Sequence, residues 1–312
     1  MTKLHFAGLI ARFILLAGMG WAGMLAAAPV NIAIVLSDES APYHETASSL
    51  RATLAQSSAR TVVNAYSLSG RKNDFLRESP DLIVTVGVGA AQELAALNLP
   101  IPVLAVLIPR QAFEKIPRQR DYKYFSAIFL DQPLARQMEL IRLATPDRGR
   151  IGVVLGPDSQ GMLKSLQAAA SEAKLGLAVE KINAAEELLP ALQRVLADSD
   201  VLLAVPDPLV FNKGTVQSLL LTTYRYQDPV IGFSHAYVKA GALASVYTTP
   251  EQAGRQAGDV ILRVLGSRAA WLSAPEYPRY FSVSVNYQVA RSLGLSIADE
   301  TVLLQNLKGL SE

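Results

Sequence analysis

From Val30 onward, apolar runs of strand length alternate with amphipathic stretches of helical period. Val30 to Leu36 (VNIAIVL) is almost continuously apolar, the pattern of a parallel strand covered on both faces. The polar loop Ser37 to Tyr43 follows, and His44 to Gln56 carries Ala47, Leu50 and Leu54 on one helical face. Thr61 to Leu68 and Leu82 to Val86 are the next strands, the second running through Gly87-Val88-Gly89 into a helix over Ala90 to Leu97. Ile101 to Leu107 is a fourth strand. This order of strand and helix implies a parallel, doubly wound sheet. Residues 109–123 (PRQAFEKIPRQRDYK) are polar and basic with two prolines, and read as an irregular surface excursion. Tyr124 to Phe129 reads as a short strand crossing into a second lobe.

The pattern then restarts. Helix is expected over Pro133 to Ala144, Gly161 to Leu175, Ala185 to Leu196 and Phe211 to Tyr226; strand is expected over Ile151 to Leu155, Ala178 to Ile182 and Val201 to Val205. The stretch Pro229 to Asp259 holds two apolar runs, Val230 to Phe233 and Ala242 to Val246, separated by a short amphipathic segment that Gly241 closes. A helix with strong start signals follows: Thr249 as N-cap, Pro250 at the first helical position and Gln252 three residues after the cap. It ends at Gly266; Tyr280 to Val285 is a last strand, and Asn286 caps a short helix through Leu293, stopped by Gly294. The tail beyond Ala298 is left open between helix and frayed chain. The fold class is α/β, with two doubly wound parallel-sheet lobes joined by hinge crossovers near Phe129, Val246 and Trp271. The expected boundaries are residues 29–128 plus 247–270 for lobe 1, 129–246 plus 271–300 for lobe 2, and 301–312 as a C-terminal tail.

The N-terminus changes how composition is read. Lys3 and Arg12 precede the apolar run Phe13 to Met19, which ends in Ala26-Ala27-Ala28, the pattern of a cleaved secretory signal peptide over residues 1–28. Its removal leaves 27 Lys and Arg (29 less two) against 27 Asp and Glu, so the formal charge of +2 falls to zero. A neutral exported chain has no electrostatic footprint for nucleic acid. Beyond the leader no apolar stretch reaches spanning length, and the absence of cysteine excludes disulfides and a lipidated N-terminal Cys.

Signatures of catalysis are absent. His44 and His235 are the only histidines beyond the leader, no thiol accompanies them, and no paired ligand spacing occurs, so neither a metal nor a cofactor is expected. There is no Gly-x-Ser-x-Gly elbow. Gly156 to Ser165 superficially resembles a P-loop, but Gly161 is followed by Met-Leu where Lys-Ser/Thr is required. Gly87-Val88-Gly89 is two-thirds of a dinucleotide fingerprint and reads better as tight strand-to-helix packing.

Position carries the site argument instead, because ligands of open α/β sheets bind outside the carboxyl ends of the strands. The loops there supply Ser37 and Tyr43, Gly89 and Ala90, Asp158 and Ser159, Asp207, and Ser234 and His235. Helix starts at Ala90 and near Ser159 suit a carboxylate or other anion. Asp158 and Asp207 are candidates to receive an ammonium group or hydroxyls, or to cap helices and form turns. Tyr43 and His235 are candidates for an aromatic wall, or for ordinary surface loop positions.

Several stretches resemble a known family: Val205-Pro206-Asp207, Pro229 to Gly232 (PVIG), Val238 to Ser245 (VKAGALAS) and Gly254 to Ala257 (GRQA). Pro80 to Val84 with Ala90-Ala91-Gln92, Arg150 to Val153, and Val285-Asn286 with Leu293-Gly294-Leu295 support them. Together they span most of the mature chain in order. The chain resembles the ABC-transporter substrate-binding proteins of the tryptophan/tyrosine-uptake type, which have the class I periplasmic-binding fold. The resemblance implies a periplasmic, monomeric protein that closes on a small-molecule ligand and delivers it to the membrane permease of an importer. The alternative is a sensing or adaptor protein that presents its closed form to a receptor or sensor kinase. Two departures bear on the ligand: family members usually carry Thr where this chain has Val88, and Thr-Asp-Pro where it has Leu107-Ile108-Pro109. Losing these polar groups implies a more apolar ligand, or a role other than amino-acid import.

Overall fold

The computed structural model describes residues 28–69, 74–117, 120–267 and 271–309. All of the expected signal peptide except Ala28 lies outside the described residues, as do the last three residues of the tail.

Five apolar runs form the first sheet: β1 (Val30–Leu36), β2 (Thr61–Ser67), β3 (Leu82–Val86), β4 (Val103–Ile108) and β5 (Phe125–Phe129). They lie in the order β2-β1-β3-β4-β5, and every pair is parallel. All five residues of β3 and of β5 are buried, as continuous apolar runs require when helices cover both faces. One face is covered by α1 (Ala41–Ala55), the other by α2 (Val88–Leu97) and α3 (Arg110–Lys115). Two expectations are corrected here. Residues 109–123 contain α3, which is too short to show a period and is anchored by the buried Phe113. Tyr124 to Phe129 is no crossing segment, because β5 pairs with β4 as the edge strand of the first sheet.

The second sheet repeats the winding. It contains β6 (Arg150–Leu155), β7 (Gly176–Lys181), β8 (Val201–Leu203), β9 (Val230–Gly232), β10 (Ala244–Tyr247) and β11 (Ser282–Val285). Their order is β7-β6-β8-β9-β10-β11, with β11 alone antiparallel to its neighbour. Apart from β11, both sheets therefore have the doubly wound order 2-1-3-4-5. Helices α4 (Leu134–Ala144) and α5 (Leu163–Glu172) cover one face, and α6 (Leu188–Ala197), α7 (Val216–Arg225) and α8 (His235–Ala240) the other.

The chain passes between the sheets three times, after β5, after β10 and before β11. After β10 it enters α9 (Pro250–Gly266), whose start carries the expected capping box between Thr249 and Gln252. Helix α9 packs on α1 so closely that a Cβ on Gly254 would strike the backbone of Thr46, and one on Gly258 the side chain of Thr53. The return segment stays with the first sheet beyond Trp271: Leu272 is buried in that core, and Glu276 pairs with Ile128. The third crossing is thus at Pro278 to Phe281, not near Trp271. The chain then completes the second sheet with β11, α10 (Tyr287–Ser292), capped by the Asn286 side chain, and α11 (Glu300–Lys308). The tail left open by the sequence is a helix because Leu303 and Leu307 are buried in the second core.

Candidate functional site

Two crossings leave from the carboxyl ends of parallel strands, β5 at Phe129 and β10 at Tyr247, and the third enters the first residue of antiparallel β11. The carboxyl ends of both sheets therefore face a common gap. In this winding the crevice at each sheet opens where the strand order reverses, between β1 and β3 in the first sheet and between β6 and β8 in the second.

At the first reversal the sequence candidates come together. The Ser37 hydroxyl donates to the carbonyl of Val86 at 2.9 Å and accepts from the backbone N–H of Ala90 at 2.9 Å. It ties the loop after β1 to the start of α2. The N–H groups of Val88 and Gly89, the first two of that helix, have no intrahelical acceptor. Gly87 has φ +91°, and a Cβ there would lie 2.6 Å from the Tyr43 hydroxyl and 2.7 Å from Ser37 Oγ. Only glycine combines that conformation with such close approach. Burial, then the charge of Asp38, raises the pKa of the half-buried Tyr43. Ser37, Tyr43, Gly89 and Ala90 thus form one pole of the gap.

The second reversal is filled. Asp207, 3 % exposed, accepts from the Ser159 N–H at 2.9 Å, the Ser159 hydroxyl at 2.8 Å and the Leu209 N–H at 2.9 Å. A Cβ on Gly156 would strike its carboxylate. The sequence suggested that the helix start near Ser159 holds a ligand's anion. In the structure the protein supplies its own anion, Asp207, and α5 begins four residues later at Leu163 after a 3-10 turn. Asp207 and Ser159 accordingly act as a buried tie between loops. Asp158 next to them is exposed and lies in the turn over residues 157–159, as one of its readings had it, but caps no helix; its carboxylate meets Lys115 Nζ at 2.7 Å.

The second lobe's open contribution lies beyond β9 and β10. Ser234 caps α8 through the N–H of Tyr237, and His235 Nδ1 is 2.9 Å from Ser284 Oγ. Tyr247 reaches the same hydroxyl at 3.0 Å and lies against the His235 ring at 5.9 Å. Phe233 and Tyr237, both half-buried, have ring centroids 4.5 Å apart and pack on Phe211. Sequence reasoning singled out His235 but missed Tyr247, Phe233 and Tyr237. Their proximity to His235 in the chain was the available signal, obscured because the apolar run also reads as plain strand.

A polar network missed by the sequence ties the three crossings. Gln132, 5 % exposed, donates to Thr248 Oγ1 at 2.8 Å, which donates to the Tyr280 carbonyl at 2.9 Å. Arg136 donates to Gln132 Oε1 at 2.6 Å and to the Pro278 carbonyl at 3.1 Å, and lies 3.8 Å over the Phe281 ring. Burial pulls its pKa down to about 10. Beside it, a cavity of about 710 Å³ runs between α3 and the α4–α5 face. Asp131 at its edge accepts from the Arg110 N–H, and burial raises the pKa of its carboxyl. Among the described residues no cluster of three or more His, Cys, Asp or Glu is placed to hold a metal ion. No helix among them is long and apolar enough to cross a membrane.

Comparison with known proteins agrees with this architecture. Residues 56–307 match the sequence profile of a family described as ABC transporter substrate binding protein. Among curated protein sequences none matches. An ABC domain from Streptococcus pneumonia in complex with L-Trp is similar in structure, with TM-score 0.59 and 19 % identity over 89 % of this chain and 98 % of that one. So is a substrate binding protein with adhesive properties from Clostridium difficile in ligand-free, open form, with TM-score 0.70 and 18 % identity over 86 % and 96 %. A conserved domain protein from Vibrio cholerae follows, with TM-score 0.60 and 20 % identity over 89 % and 98 %.

Proposed function

Because the chain belongs to the ABC transporter substrate-binding protein family, we propose that it captures a small organic molecule in the gap between its lobes and hands it to the permease of an importer. The carrying observation is the pair of doubly wound sheets whose carboxyl ends face one gap, spanned by three short crossings. Such crossings are where a hinge absorbs rotation. Lobe 1 is residues 29–129 with 249–277, lobe 2 is 134–247 with 281–309, and the segments between them form the hinge. The leader makes the protein exported and periplasmic, and it works as a monomer.

Within the gap, the first lobe offers the Tyr43 ring and the open N–H groups of Val88 and Gly89, suited to a carboxylate. The second offers His235, Tyr247, Phe233 and Tyr237, suited to a planar or aromatic part. Asp207 does not touch the ligand but sets the loop from which lobe 2 reaches it. Closure follows from tighter binding in the closed form. Val88 and Leu107 stand where relatives place polar groups, which favours a ligand with few hydrogen-bonding substituents at that edge. Leu107 has φ +51°, where the β4–β5 register shifts, so its backbone conformation is strained at the rim of the gap.

Thermal unfolding of residues 29–312 against aromatic and branched amino acids, short peptides, purines and tetrapyrroles tests this reading. A ligand at a hundred times its Kd adds about 2.7 kcal/mol and raises Tm by several degrees. Chemical turnover of the compound that binds overturns the reading. Recovery of a sensor kinase instead of a permease in a membrane pull-down moves the partner to signalling.

A further inference from the structure

Polar contacts joining the lobes are of two kinds. Most lie on or beside the crossing segments: Gln132 with Thr248, Arg136 with Pro278, and Gln252 with Ser282. A rotation about the crossings moves these groups least, because they sit on its axis. Lys115 and Asp158 are different. Lys115 is the last residue of α3 in the first lobe, and Asp158 is in the loop after β6 in the second. Neither belongs to a crossing. Their side chains meet at 2.7 Å, and among the described residues theirs is the one ion pair that joins the two lobes. Both also line the 710 Å³ cavity between the lobes.

We propose that Lys115 and Asp158 form an ionic latch that holds the lobes at the separation seen here and makes their opening sensitive to salt. The inference rests on the two-lobed, hinged reading given above, and concerns the regulation of that same gap. A contact away from the axis is broken by rotations that leave the hinge network intact. The side chains are 61 % and 49 % exposed, so water and ions reach both charges. An exposed pair of this kind biases an equilibrium by about two- to fivefold, and the bias fades as the Debye length shrinks. That is strong enough to set the resting population of lobe arrangements, and weak enough for a ligand to override it.

The chain has no cysteine, so two introduced thiols can be labelled cleanly. Spin labels at exposed Gln92 on α2 and exposed Gln167 on α5 report the lobe separation without any ligand. In the otherwise wild-type protein, raising NaCl from about 20 mM to about 500 mM should shift the distance distribution, with the population of the latched separation falling about two- to fivefold. Lys115→Gln should show the high-salt distribution at both salt concentrations, and the charge exchange Lys115→Asp with Asp158→Lys should restore the wild-type response. A Lys115→Gln distribution that matches wild type at low salt overturns the latch. So does a salt response that persists in that variant. A single separation under all conditions overturns both the latch and the hinge reading. A salt response abolished by Lys115→Gln sustains the latch even if no compound in the thermal screen binds.

Discussion

The same strand order is wound twice in this chain, yet the two reversal points are used in opposite ways. At the first, a neutral hydroxyl, Ser37, bridges the loops and takes one helix N–H, leaving the preceding two without intrahelical acceptors. At the second, the buried carboxylate of Asp207 spans the loops and uses three protein donors. One crevice keeps two helix N–H groups open and the other is occupied from within. A doubly wound sheet fixes where a crevice forms, but one side chain decides whether it remains open. Under the proposed function, one such crevice is enough to anchor a ligand, and the other lobe is free to close with rings.

Substitutions can break this contrast or sharpen it. Asp207→Ala should have the largest effect, because it strips acceptors from buried donors: about 3 kcal/mol of stability lost, read by urea unfolding. A loss under 1 kcal/mol would show that the second crevice does not need its internal anion. Gly87→Ala should cost about 2 kcal/mol, since it imposes both a strained φ and a collision with Tyr43. It should also abolish any ligand-induced rise in Tm. Asp228 sharpens the point from the other side. It is a buried carboxylate of the second lobe whose Oδ2 has no partner, and burial raises its pKa to about 6. The folded state therefore holds this proton more tightly than the unfolded chain does, so stability declines as pH rises from about 4 to about 6 and is level above that. Asp228→Asn should remove this slope and add about 1 kcal/mol at pH 7; unchanged stability at both ends of that range would refute the assignment. Ser37→Ala should have the smallest effect on folding, about 1 kcal/mol, because its hydroxyl is half-exposed and water replaces part of the bond.

Much of this architecture can be read from the residues. The apolar runs of β1, β3 and β6 and the capping box at Thr249 follow directly from side-chain period and cap chemistry. The place of the first reversal was legible too, since Ser37, Tyr43, Gly89 and Ala90 all follow closely on the ends of the apolar runs β1 and β3, in a loop or the first turn of the next helix. What escaped depends on distant pairing. Lys115 lies in a basic, proline-bounded stretch that looks like loop, and its partner is 43 residues away. Asp207 between two prolines looks equally like a ligand contact, and only the approach of Ser159 and Gly156 shows that its carboxylate faces inward. Arg136 sits on an amphipathic helix where an exposed cation is the ordinary expectation, and it is buried because three crossings converge there.

The glycine seam between α1 and α9 also bears on the order in which the lobes are assembled. Gly254 and Gly258 let α9 lie directly on α1, although some two hundred residues of chain separate the two helices. The first sheet is therefore translated early but lacks one of its covering helices until residue 266 has emerged. Most of the second lobe, residues 134–247, appears in the interval. A nascent or exported chain should thus form much of the later lobe while the earlier one waits, inverting the N-to-C sequence usual for tandem domains. Pulsed hydrogen exchange during refolding would reveal this as protection in β6 and β8 ahead of β1 and β3; the reverse order would show that α1 and the first sheet hold together without their late partner.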